Sequence, residues 1–519
     1  MKKTFSKILM IAAMAFIACS SDDDAAPTPG HLDMTPATFA FTAEGGTGTF
    51  TVNGGSAFAR SNADWISIER TSADKNGSTF EIECAANTQS ADREGKIMVN
   101  LAGTYNYVTV TQAGMPVEED TQYTFRSARE VSKDMYPGWN LGNTLEACDY
   151  NNLFNNAAGL GSETSWQSTQ TSQAVIDAVE AAGFKSVRIP VAWLAGHVSG
   201  GSEADPTIDA AWLARVKQIV DYCINDGLYV VLNDHWDGGW IEVLGFSSDR
   251  SSYSAIAEDQ ITARITTLQS LWTVIANYFR NYDEHLIFAG LNEPFQEYNL
   301  FSSRHQVLTP ILERYNKAFV EAVRATGGNN ASRILVVQGP SVNIASSCQY
   351  MPASHLPEAA GKLMVEVHYY DPGQFCGTFD STGSGAYYYW GSANHGANHN
   401  PTYGEETYME SQFNNLQSTY TSQGYPVIIG EYAALQRTLT AEGTDQAKHD
   451  ASVKYYYQTL NQYAVNRGIV PFAWDTNDVA GLGKESGSST IINRSSSTVA
   501  GTNAMEGIKA GCAAAQWPY

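Results

Sequence analysis

Six short apolar runs in this sequence are each followed at once by polar or aromatic side chains capable of chemistry, and two of those tails carry a glutamate. Leu291-Asn292-Glu293-Pro294 and Ile429-Gly430-Glu431-Tyr432 hold the glutamates, and Val187-Arg188-Ile189-Pro190 holds a cation. Asn233-Asp234-His235-Trp236, Val367-His368-Tyr369-Tyr370 and Ala473-Trp474-Asp475 add imidazoles, phenols and indoles. A carboxylic acid paired with a carboxylate can protonate a leaving oxygen with one group and attack, or activate water, with the other. That is the requirement for cleaving a glycosidic bond. Near neutral pH the two must hold different protonation states, so their surroundings have to separate their pKa values. Arg188 is the cation suited to keep one of them ionised. Alone, each of these residues reads as a turn former or a salt-bridge partner; together they form a constellation.

The elements that would position them are eight apolar β-runs: 137–140, 186–189, 229–232, 287–291, 334–337, 364–367, 427–430 and 469–473. Helix-like stretches lie between most of them, among them 172–182, 210–226, 261–279, 312–325 and 446–464. Continuous apolar strands alternating with helices imply a parallel sheet covered on both faces. Eight such units within 123–519 imply an α/β fold of the (β/α)8 TIM-barrel type, whose functional groups project from the C-terminal ends of the strands. Glu293 then follows the fourth strand and Glu431 the seventh, facing each other across one rim.

Gly138-Trp139-Asn140-Leu141-Gly142-Asn143, Val187-Arg188-Ile189-Pro190, Leu291-Asn292-Glu293-Pro294, Val367-His368-Tyr369-Tyr370 and Ile429-Gly430-Glu431-Tyr432 resemble a family 5 glycoside hydrolase of clan A, of the endo-β-1,4-glucanase type. The resemblance implies Glu293 as acid/base and Glu431 as nucleophile of a retaining double displacement. It implies Asn292 on the sugar 2-hydroxyl, and Arg188 and Tyr370 holding Glu431 ionised and oriented. His235 and His368 would bind sugar hydroxyls, Trp474 would stack beneath the ring, and Asn140 and Trp236 would also contact substrate. The expected substrate is a plant-wall β-glucan: cellulose, mixed-linkage glucan or xyloglucan. Two alternatives stay open, an endo-β-1,4-mannanase and a non-catalytic surface glycan-binding protein. No cofactor and no metal is expected, because side chains supply both the proton transfer and the nucleophile. His395 and His399 sit in a Gly/Asn-rich loop and read as loop residues rather than ligands. Trp240, Tyr387, Tyr388, Tyr389 and Trp390 read equally as sugar platforms or as loop packing.

Residues 34–114 carry short alternating strands at intervals suited to a small all-β, immunoglobulin-like sandwich. Gly45-Gly46-Thr47, Asp64-Trp65-Ile66, Arg93-Glu94-Gly95-Lys96-Ile97 and Val108-Thr109-Val110-Thr111-Gln112 resemble a BACON domain. Trp65 reads as a core plug. Whether the sandwich binds glycan or serves as a spacer is open, with the spacer favoured. Residues 20–33 and 115–122 read as linkers.

Lys2-Lys3 and the apolar run from Ile8 to Ala18 have the layout of a signal peptide, the run being shorter than the about 20 residues a membrane-spanning helix takes. Ile17-Ala18-Cys19 resembles a lipoprotein lipobox, and Ser20-Ser21-Asp22-Asp23-Asp24 resembles the export tag of Bacteroidota surface lipoproteins. Residues 1–19 would be the signal segment, Cys19 the lipidated residue, and the location the outer-membrane surface; periplasmic or secreted protein is the alternative. The 519 residues carry a net charge of −23 with no basic run, which excludes nucleic acid as a partner. Hydrophobic residues at 43% against 16% charged allow a large core, and a monomer is expected. Beyond Cys19, six cysteines are spread without a C-x-x-C pair, and Cys348 with Cys376 is the one pairing considered.

Overall fold

The computed structural model describes residues 30–87, 89, 91–115, 121–242, 258–295, 305–377 and 385–519, with the side chains of 305–307 excepted. Cys19 and the acidic run after it lie outside the described residues. The chain divides into two compact units, one running up to Cys84 and taking in Asp92–Ala113, the other formed by Ala85–Ala91 and Gly114–Tyr519.

The smaller unit is a sandwich of two four-stranded sheets. One has the order Met34–Thr35, Gly46–Asn53, Gly77–Cys84, Ile66–Ala73; the other Thr38–Phe41, Thr104–Gln112, Arg93–Leu101, Phe58–Ser61. Alternate residues of both sheets meet in one core, including Phe50, Val52, Phe80, Ile82, Ile97, Val99, Val108 and Val110. Trp65 packs half-buried against this core, with the Arg93 guanidinium 4.3 Å from its ring centre.

In the larger unit eight parallel strands close into a barrel. They are β1 (Gly138–Asn140), β2 (Ser186–Ile189), β3 (Tyr229–Asn233), β4 (Leu286–Ala289), β5 (Leu335–Gln338), β6 (Leu363–Tyr369), β7 (Val427–Tyr432) and β8 (Ile469–Ala473). Every one is buried along its whole length, which is why each reads as an unbroken apolar run. Side chains alternate between two cores. Val365 and Val367 of β6 face the surrounding helices, while Met364 joins Val231, Ile287, Val336, Ile428 and Phe472 inside the barrel. Towards the C-terminal ends the interior turns polar: Asn140, Arg188, Gln338 and Glu366 all have zero exposure.

The helices sit where the 3.6-residue pattern puts them. Gln173–Ala182 ends at Gly183, whose φ of 106° is the left-handed conformation that closes a helix without a Cβ clash. Ala210–Asn225 starts on Asp209, whose carboxylate accepts from Trp212 N, and Gln446–Val465 starts on Asp445, which accepts from Lys448 N. The last helix, Thr502–Ala514, lies tightly on Gln446–Val465: a Cβ at Gly507 or Gly511 would meet the carbonyl oxygens of Lys454 and Gln458 at 2.3 and 2.4 Å. Among the described residues no helix is long and apolar enough to cross a membrane.

Candidate active site

The local fold brings Glu431 to the rim beside β6 by an irregularity in strand pairing. Val367 of β6 pairs with Ile429, but the next residue, His368, pairs with Glu431, so Gly430 is the extra residue of a bulge. Bulges re-aim the side chains around them. This one also needs a glycine, since a Cβ at 430 would stand 1.9 Å from Glu366 Oε1. β6 then climbs with period two from Met364 in the barrel core through Glu366 and His368 to Tyr370 at the mouth.

Arg188 is the hub. Its Nη1 donates to Glu431 Oε1 and to Asn140 Oδ1, both at 3.0 Å, and its Nη2 donates to Asn292 Oδ1 at 2.7 Å. Its Nε stands 2.8 Å from Glu366 Oε1 as an ion pair. Tyr370 Oη donates to Glu431 Oε2 at 3.0 Å, and His235 Nε2 lies 4.0 Å from Glu431 Oε1. His368 Nδ1 is 2.7 Å from Glu293 Oε1 and 3.7 Å from Glu431 Oε2, and its Nε2 is 3.3 Å from Glu366 Oε1. An oxygen of Glu293, an oxygen of Glu431 and a ring nitrogen of His368 all lie within 4.8 Å of one another.

Burial pushes the Glu431 carboxyl above the ordinary carboxylate value, with Glu293 adding to the rise; His368, Arg188 and the Tyr370 hydroxyl work against it. Burial also opposes charge on His368, but Glu431, Glu293 and Glu366 overcome this and carry its pKa up to about 9. His235 goes the other way: burial, then Arg188 and His368, keep its imidazole neutral. Burial disfavours charge on Glu366 too, yet Arg188 and then His368 hold it below the ordinary value. Arg188 and a protonated His368 therefore stand among the carboxyl groups of Glu293, Glu366 and Glu431. Glu293, His368 and Glu431 are the one set among the described residues crowded closely enough to hold a cation. Both ring nitrogens of His368 already face carboxylate oxygens and Arg188 already neutralises Glu431, so the set reads as a proton-sharing cluster.

Several residues stand differently from expectation. Asn140 is fully buried, its Nδ2 donating to Gly430 O at 2.8 Å and its Oδ1 accepting from Arg188, so it is a strut under the site rather than a sugar contact. His368, expected on sugar hydroxyls, has both nitrogens on carboxylates. Arg188 has no exposed surface, so it meets Glu431, Glu366, Asn140 and Asn292 rather than a sugar. Asn292 is 6% exposed, and its Oδ1 is held by Arg188, which leaves its NH2 end as the group not engaged by the guanidinium. Trp474 lies parallel to His235 at 5.8 Å, made possible by Gly142, where a Cβ would strike the indole at 2.9 Å. Trp236 lines an open cleft with His235, Glu242, Asn292 and Glu293.

The aromatic loop after β6 is packing: Tyr389 and Trp390 are fully buried and Tyr388 nearly so. His395 binds Glu405 at 2.9 Å, while His399 stacks on Tyr388 and reaches Ala386 O. Glu146 and Asp475 are buried braces. Glu146 accepts from the Asn143 and Thr144 amides, and burial lifts its pKa to about 7. Asp475 accepts from Trp139 Nε1 and from the Ile491 and Ile492 amides. Cys348 and Cys376 are both free thiols, and Cys376 bonds instead to Tyr456 Oη.

Glu366 and Gln338 were not expected at the site. Gln338 donates to Glu366 Oε2 at 2.7 Å and accepts from Leu291 N, one residue before Asn292-Glu293. Their signal lies inside the strands rather than after them: in Met364-Val365-Glu366-Val367-His368 a glutamate occupies an inward position of a strand with no exposed face.

Known proteins agree with this geometry. The profile of the cellulase family (glycosyl hydrolase family 5) matches residues 152–479, and that of BACON, a putative N-terminal binding domain, matches 55–113. Endoglucanase A of Paenibacillus barcinonensis is 32% identical over 404 residues, 74% of this chain and 90% of that protein. A xyloglucan-specific endo-β-1,4-glucanase of Bacteroides ovatus is 29% identical over 482 residues, 90% of each protein. Among solved structures, a xyloglucan-specific β-1,4-glucanase from a ruminal metagenomic library, in complex with XXLG, is 66% identical with a TM-score of 0.70, covering 76% of this chain and 98% of that one. With the family profile covering most of the barrel and both glutamates on its rim, the chain belongs to glycoside hydrolase family 5.

Proposed function

We propose that this chain is a retaining endo-β-1,4-glucanase that hydrolyses xyloglucan, with Glu431 as nucleophile and Glu293 as acid/base. The observation that carries the reaction is the crowding of oxygens from the two glutamates within 4.8 Å. Retaining pairs stand about 5–5.5 Å apart, whereas an inverting pair needs roughly 6.5–9.5 Å to seat a water. Glu431, flanked by Arg188, attacks the anomeric carbon while Glu293 passes a proton to the departing oxygen. Glu293 then takes a proton from water, the hydroxyl displaces Glu431, and the carboxylate is restored. Tyr370 and Arg188 fix the two oxygens of Glu431 during both steps.

The choice among β-glucans is supported by the 66% identity to a xyloglucan-specific enzyme, and by the xyloglucan-specific relative from Bacteroides ovatus. Initial rates and product sizes on tamarind xyloglucan, carboxymethyl-cellulose, barley glucan, xylan and mannan test it. The kcat/KM on xyloglucan should exceed that on carboxymethyl-cellulose by at least about tenfold, the effect of one or two added contacts to side branches. Equal rates on both would mean broad specificity, and activity only on mannan would remove the glucanase reading.

The sequence before the sandwich supports attachment to the outer-membrane surface through acylated Cys19. Cys19→Ala should release the protein from the membrane fraction or leave an unprocessed precursor. Continued display on intact cells would contradict it.

A further inference from the structure

Glu366 lies one strand position below the rim, fully buried, and touches three partners that all lead to the reacting groups. Arg188 Nε is 2.8 Å away and runs on to Glu431 and Asn292; His368 Nε2 is 3.3 Å away and runs on to Glu293; Gln338 Nε2, at 2.7 Å, ties it to the backbone ahead of Asn292-Glu293. Gly430 leaves room for it, since any side chain there would overlap Glu366 Oε1. An ionised carboxylate only accepts hydrogen bonds, so the imidazole nitrogen facing it carries a hydrogen. That fixes Nε2–H. The other nitrogen, Nδ1, then faces Glu293 Oε1 at 2.7 Å, a separation that requires one proton between them.

We infer that Glu366 is the positioning residue of the acid/base: by holding a hydrogen on His368 Nε2 it leaves Nδ1 to share a single proton with Glu293. This rests on the reading of Glu293 as acid/base. In the first half-reaction that proton leaves for the glycosidic oxygen, and Glu293 is left as a carboxylate facing a bare nitrogen lone pair. The mutual repulsion favours taking a proton from the incoming water in the second half-reaction. The water proton then restores the shared one, and its hydroxyl closes the new bond as Glu431 departs. The same buried carboxylate holds Arg188 against the nucleophile, so acid and nucleophile are oriented by one group.

The charged and titratable groups of this pocket are Arg188 from β2, His235 after β3, Glu293 after β4, Glu366 and Tyr370 on or next to the strand of His368, and Glu431 from β7. Three of them, Glu431, Glu293 and Glu366, hold the proton on His368 up to about pH 9. Removing Glu366 lowers that value, so the proton is lost at lower pH and the alkaline limb of activity moves acidward.

Two variants of the full chain test this, Glu366→Gln and the exchanged pair Glu366→Gln/Gln338→Glu, the second keeping the buried charge count should the first not fold. In 15N-histidine-labelled protein, long-range proton–nitrogen spectra read the tautomer and titration of each imidazole, with His368 assigned from its loss in His368→Asn. His368 should titrate at least about one pH unit lower in both variants, and the alkaline limb of kcat/KM should move with it while KM stays within about twofold. Loss of rate at every pH with the limb in place would make Glu366 a structural brace and overturn the proposal. So would a wild-type limb in the exchanged pair, which would show that only charge balance at Arg188 matters. A shifted His368 titration with an unmoved limb would instead overturn the assignment of Glu293 as acid/base.

Discussion

Glu293→Ala should slow hydrolysis of xyloglucan by about 1,000-fold while sparing the first step on an aryl β-glycoside with a good leaving group. Positioned general acids contribute roughly 100- to 10,000-fold, and the polysaccharide needs that help because a sugar alkoxide leaves poorly. Dinitrophenolate leaves unaided, so Glu431 can still form the covalent intermediate. Its breakdown, deprived of the base, becomes rate-limiting, and a burst of phenolate followed by a slow steady state is the expected trace. Azide, which needs no deprotonation, should restore turnover and yield a β-glycosyl azide. The fold should survive, since Glu293 is partly exposed and His368 keeps Glu366 at 3.3 Å and Glu431 at 3.7 Å. Equal losses on both substrates, without a burst, would place the acid elsewhere.

Glu431→Gln should remove activity on both substrates by at least about 10,000-fold, because no group remains to attack the anomeric carbon. Buried Arg188 makes this a demanding substitution: stripping the only partner from a buried cation costs about 3–5 kcal/mol. Arg188 is not left alone, however. Glu366 stays 2.8 Å from its Nε, and Asn140 and Asn292 keep their acceptors on the guanidinium. A folded, inactive protein with a thermal midpoint within several degrees of wild type is therefore expected. A folded variant retaining a tenth of the wild-type rate on either substrate would show that Glu431 is not the nucleophile.

The barrel was legible because strands buried on both faces cannot hide their apolar character, and reading the residues at and just beyond the end of each run picked out Arg188, His235, Glu293, His368, Tyr370, Glu431 and Trp474 together. The same procedure overlooked what lies within the runs. Glu366 was absorbed into the apolar stretch 364–367 and Gln338, directly after the run 334–337, was passed over, although period two places both on the inward face. Asn140 was read with the rim because it ends β1, yet its amide is turned down onto Gly430 and Arg188. The bulge at Gly430 has no signature beyond one glycine, and pairing His368 with Glu431 depends on it. In the sandwich, Met34–Thr35 and Phe58–Ser61 are too short to alternate visibly. The Tyr387–Trp390 stretch could not be assigned from composition, since an aromatic that packs a loop and one that carries a sugar look alike until burial is known.

The central claim is that Glu431 attacks the sugar directly from within a narrow pair of glutamates. The most direct test is the anomeric configuration of freshly released reducing ends, followed by proton NMR at short times on a xyloglucan oligosaccharide before mutarotation. Retention, with the β-anomer appearing first and the α-anomer only as mutarotation proceeds, is the predicted result. An α-anomer in the first spectra would mean that water attacks instead, and would contradict the account.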